Sequence, residues 1–75
     1  MQVEWSNMSR NGITEAVVRT DPDTTYVLYV SRIAFNQYMY MIELGDDIIA
    51  QSKGSYMFAT LAKKEAVLKL EEISK

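Results

Sequence analysis

Apolar and polar positions along this 75-residue chain alternate in short stretches, interrupted at regular intervals by turn residues. The interruptions are Ser9-Arg10-Asn11-Gly12, Asp21-Pro22-Asp23, Phe35-Asn36-Gln37, Gly45-Asp46-Asp47 and Lys53-Gly54-Ser55. Asn and Gly tolerate positive φ, and Pro presets the φ of a turn's second residue while offering no ladder donor, so hairpin corners are expected there. Between the corners the residues are β-branched and aromatic. Residues 13–20 hold Val17 and Val18, residues 25–33 hold Tyr26, Val27, Tyr29 and Val30, and residues 37–44 hold Tyr38 and Tyr40. Three antiparallel strands are predicted on that basis. A short fourth is expected at 48–52, with a continuation past a bend towards Tyr56 and Phe58, and a further strand at 3–8 pairing across the Asn11-Gly12 turn.

From Thr60 the character changes. Residues 60–73 are good helix formers without Gly or Pro, and Ala62, Ala66, Leu70 and Ile73 share one face, widened by Val67. Thr60 is the expected N-cap, because its hydroxyl can accept from a first-turn amide. Lys63 and Lys64 near the start and Glu71 and Glu72 near the end oppose the helix dipole, so packing must hold this helix in place. The predicted architecture is α+β: an antiparallel β-meander of three to five strands packed against one C-terminal α-helix, in a single domain. Its expected core is Leu28, Val30, Ile42, Phe58, Ala62, Ala66, Leu70 and Ile73.

The central strands carry an excess of apolar residues for such a fold. A sheet covered on one side should alternate apolar and polar residues. Yet Tyr26, Leu28 and Val30 point one way while Val27, Tyr29 and Ile33 point the other. In the next strand Tyr38, Tyr40, Ile42 and Leu44 share one face, and Met39 and Met41 the opposite one. One short helix covers only one face. The other must be covered by the N-terminal segment around Trp5, with Met1 and Met8 as a lid, by curling of the sheet, by a second copy, or by a partner. Tyr and Met are enriched at the cores of interfaces, where they bury large areas or adapt their shape. Tyr29, Met39 and Met41, on the face away from the helix, are therefore the expected partner-binding residues. If the faces are reversed, Tyr26, Tyr38 and Tyr40 take that role.

Composition removes most catalytic templates. The chain has no Cys and no His, so thiol nucleophiles, histidine proton shuttles and disulfide or Cys/His metal staples are all excluded. Asp21 with Asp23, and Asp46-Asp47, are carboxylate pairs in turns. Neither has the twelve-residue spacing and terminal Glu of a calcium loop, and turn chemistry is the favoured reading. Glycines at 12, 45 and 54 are too dispersed for a phosphate loop. A weak anion site at the helix start, assisted by Lys63 and Lys64, is the remaining ligand candidate. No enzyme activity, cofactor or metal is expected.

Charge bears on nucleic acid. The chain is net -2 with a pI of about 4.9, and residues 1–47 hold three arginines against seven carboxylates. Such a sheet repels phosphate, although single-stranded nucleic acid stacking on the sheet tyrosines is the alternative function. No basic-then-hydrophobic leader or long apolar run appears, and the absence of Cys fits a reducing compartment. A cytoplasmic protein is expected, and its start at Met1 suggests an independent gene product. The compact, Cys-free, His-free format is similar to that of small accessory proteins of bacteriophages and mobile elements, which often bind and inhibit a host protein. This is a likeness of format that transfers no residue. The expected function is thus a small non-catalytic protein–protein interaction module, with a host protein or a second copy of itself as partner.

Overall fold

Three two-residue connections build the sheet. The computed structural model describes residues 2–74. In it β1 (Ile13–Asp21), β2 (Thr24–Ala34), β3 (Gln37–Leu44) and β4 (Asp47–Gln51) precede α1 (Ala59–Ile73). The strands lie in one sheet in the order β1-β2-β3-β4, each antiparallel to its neighbour. This is the predicted α+β meander, with four strands. Left-handed backbone closes two of the hairpins, at Asn36 (φ 55) and Gly45 (φ 65). The third turns at Pro22-Asp23, where the Asp23 amide donates to Asp21 Oδ1 at 2.9 Å. Asp21 thus does the local backbone-mimicking work typical of Asp in turns.

Helix α1 lies on β2 and β3. Leu28, Val30, Ile42, Ala62, Ala66 and Leu70 are completely buried between them. Ala16, Tyr26 and Tyr40 extend this core, and Val18, Tyr38, Tyr56, Val67 and Ile73 pack around it half-buried. The alanines on α1 let the helix approach the sheet closely enough for the large residues of β2 and β3 to reach between its turns. Phe58, expected in the core, is instead 56% exposed. It is the last extended residue before the helix, at φ -126 and ψ 143, and its side chain falls outside the sheet-facing stripe.

The helix start differs from expectation in the same way. Phe58 occupies the N-cap position, with no side-chain cap, while Thr60 already lies inside the first turn. Leu61 and Ala62 donate their amides to the Phe58 carbonyl at 3.1 and 3.2 Å. Thr60 lies two residues past the N-cap, too late for its hydroxyl to act as a cap.

Residues 3–8 do not form a strand. This segment is tethered to the outer edge of β1 at isolated points: the Ser6 amide donates to the Glu15 carbonyl at 2.8 Å, and Ser9 to Ile13 at 2.9 Å. Side chains replace a regular ladder, since the Glu15 amide donates to Ser6 Oγ at 3.1 Å and the buried Thr14 hydroxyl donates to the Ser6 carbonyl. Serine's competition for backbone groups explains why a ladder never develops. The segment turns into β1 through Gly12 (φ 75), whose amide donates to the Ser9 carbonyl at 2.9 Å.

Beyond β4 the chain does bend and return. The Ser52 amide donates to the Tyr40 carbonyl at 3.0 Å, residues 53–55 loop outwards, and Tyr56 then exchanges two 2.8 Å backbone hydrogen bonds with Tyr38. The Tyr40 and Tyr56 rings stack with centroids 6.3 Å apart. Among the described residues, no helix is long and apolar enough to cross a membrane.

Candidate functional site: the open sheet face

The register defines three rows across the face opposite the helix. Ile13, Ser31 and Met39 form one row, and Glu15, Tyr29, Met41 and Gln51 the central one. Val17, Val27, Glu43 and Ile48 form the third, adjoining a bulge that makes Ile49 the extra residue of β4. Val17 and Ile48 are 65% and 55% exposed, and Val27, Tyr29, Met39 and Met41 are half-buried by one another. Among the described residues no segment lies across this face. Trp5, expected as part of its lid, packs with Val3 on the other side of the sheet. There Lys63 Nζ sits 5.6 Å above the indole ring. The tether at Ser6 holds the segment beside the β1 edge, from which the indole reaches Lys63 of α1 and the core beneath it. Met8 remains exposed, and Met1 lies outside the described residues.

Polar chemistry on the face is concentrated at one pair. Tyr29 donates its hydroxyl to Glu43 Oε1 at 3.0 Å, diagonally across β2 and β3. This hydrogen bond raises the Tyr29 pKa above the usual phenol value, with partial desolvation and the negative charges of Glu43 and Glu15 adding to the effect. The pair ties the phenol proton to one carboxylate oxygen within the chain.

Of the sequence-derived candidates, the structure brings Tyr29, Met39 and Met41 together on the open face, with Tyr29 directly opposite Met41 in the ladder. Tyr26 and Tyr40 lie on the helix side and are buried, and Tyr38 is half-buried beside them. Burial raises the Tyr40 pKa, as do the negative charges of Glu65 and Glu72. These three tyrosines belong to the core. Lys63 and Lys64 line a shallow hollow of about 280 Å³ with Val3, Trp5, Val67 and Leu68, far from the open face. Lys63 is engaged by the indole there. Among the described residues, no group of three or more His, Cys, Asp or Glu is placed to hold a metal ion.

Val17, Glu43 and Ile48 are members of the face that strand composition did not single out. Their signal was present in the register: once the two-residue turns are placed, Val17, Val27, Glu43 and Ile48 must fall in one row. The fold and face together define a helix-backed antiparallel meander with one bare, apolar side. No family model, curated protein or solved structure matches the chain.

Proposed function

We propose that this chain is a non-catalytic protein–protein interaction module whose working surface is the open sheet face. One observation supports the reading above all: the side of the sheet without the helix presents Val17, Val27, Tyr29, Met39, Met41 and Ile48 contiguously, and the N-terminal segment packs elsewhere. Contiguous exposed apolar side chains on a small domain mark association surfaces, whereas scattered ones do not. The face also has the Tyr and Met content of interface cores.

Nucleic acid fits this surface poorly. Tyr29 is its only strand tyrosine, because Tyr26, Tyr38 and Tyr40 turn towards the helix, and Glu15 and Glu43 flank that ring with negative charge.

Replacing Tyr29 and Met41 together by Ala tests the proposal. The expected result is an unchanged circular dichroism spectrum and a cooperative melt, with association of the chain lost in light scattering and cross-linking. Collapse of the spectrum would make these residues core and end the proposal.

A further inference from the structure

The open face has a pattern that selects its occupant. Resting on the reading of that face as an association surface, we infer that it is covered by a second copy of this chain, stacked face to face with the two-fold axis parallel to the strands.

The charges decide the geometry. Glu15, Arg19 and Glu43 are the charged open-face positions of β1, β2 and β3, a net of one negative charge that places little net repulsion between two copies. A two-fold axis between the sheets and parallel to the strands sets β1 over β4 of the second copy, and β2 over β3. The central row then lies on its own reverse: Glu15 meets Gln51, and Tyr29 meets Met41. The first contact pairs a carboxylate with an amide donor, and the second a ring with a thioether, a favourable combination. Arg19, one row beyond Val17, comes over the acidic Gly45–Asp47 end, and Glu43, the one carboxylate in the Val17 row, lies over Val27 with Oε1 held by the Tyr29 hydroxyl. An axis running across the strands along that same central row instead sets Glu15 directly over Glu15, a like-charge contact that disfavours it.

Size sets the strength. Four strands at about 4.8 Å spacing and about eight residues in length make a flat face of about 500 Å², so two copies stacked about 10 Å apart remove at least about 1,000 Å² in total. That is near the lower limit for a specific interface and well below an obligate dimer, the size class of weak, transient association. The arrangement covers the sheet face that the single helix leaves bare, adding a third layer to the helix–sheet pair.

The test is the molar mass in solution, by light scattering or sedimentation, from about 1 to about 200 µM, a range wide enough to detect weak self-association. The wild-type mass is expected to rise from one chain to two. Val17→Asp, at a position 65% exposed and so harmless to the fold, is expected to weaken the dimer at least about tenfold by setting a carboxylate into the apolar contact. Gln51→Lys is expected to tighten it about threefold to tenfold, through two symmetric pairings with Glu15. Circular dichroism of each variant confirms the fold. A wild-type monomer throughout the range overturns the second copy as occupant, while leaving the face available to a different protein. A dimer indifferent to both substitutions places self-association elsewhere and overturns this inference, while the double Tyr29/Met41 variant remains the separate test of the face itself.

Discussion

Tyr29 and Glu43 are joined by a 3.0 Å hydrogen bond that runs diagonally from β2 to β3 on the side of the sheet that the helix leaves bare. A phenol donating to a carboxylate is a sound partnership while the phenol keeps its proton. When that proton leaves, two negative charges face each other, with Glu15 on the opposite flank. The folded-state pKa of Tyr29 lies above its unfolded value, so this contribution is complete below pH 10.0 and is lost as pH rises through the folded pKa. Tyr29→Phe is therefore expected to flatten the alkaline decline in melting temperature and to remove one upward-shifted phenol from an ultraviolet titration. A decline that stays unchanged would assign it to other tyrosines, of which Tyr40 and Tyr56 are also shifted upwards, chiefly by burial.

The helix start offers a gain of stability. Phe58 is largely exposed at the N-cap and makes no capping hydrogen bond, and the first turn contains no acidic residue. Phe58→Asp supplies both an acceptor for a first-turn amide and a charge that suits the helix dipole, and is expected to stabilise the fold by about 1 kcal/mol. Urea denaturation measures it, and a destabilised variant would mean that the phenyl ring packs more firmly than its exposure suggests.

Gly12 is irreplaceable for two separate reasons. Its φ of 75 is strained for any L side chain, and an added Cβ would sit 3.0 Å from Arg32 Cβ across the hairpin. Gly12→Ala is expected to cost about 1–3 kcal/mol, with the loss concentrated where the N-terminal segment enters β1. Faster amide exchange at Arg32, whose amide donates to the Gly12 carbonyl at 2.8 Å, reports the site directly.

Leu28 and Leu70 are both fully buried in the core between sheet and helix. Truncating either to Ala is expected to cost about 2–5 kcal/mol, set against a total of about 4–11 kcal/mol for a chain this size. Loss of cooperative melting is the expected readout. Val17→Ala on the open face serves as the matching control, with an expected effect on chain stability within about 0.5 kcal/mol.

Much of this architecture was written locally. Asn36, Gly45 and the Asp21-Pro22-Asp23 group announce their turns through their own backbone preferences, and the helical stripe of Ala62, Ala66 and Leu70 is visible by spacing alone. The errors fall where a local signal competes with a distant partner. Residues 3–8 have strand-like composition, yet Ser6 takes over hydrogen bonds at Glu15 and Thr14 that a regular ladder would have used. Thr60 resembles a cap, but the chain reaches α1 already committed at Phe58, because the Tyr38–Tyr56 bridge sets where the connection ends. Phe58 has the size of a core residue and lacks a position facing the core.

From the sequence by itself came the division into a strand meander and a terminal helix, since alternation, turn chemistry and helical spacing act over a few residues. The choice of which sheet face to bury did not, because β2 and β3 carry apolar side chains on both sides and a period of two is symmetric about the sheet. Only the docking of α1 on Leu28, Val30 and Ile42 breaks that symmetry. It sends Tyr26 and Tyr40 into the core, draws Trp5 to the helix side, and leaves Tyr29 and Met41 as neighbours on a bare surface.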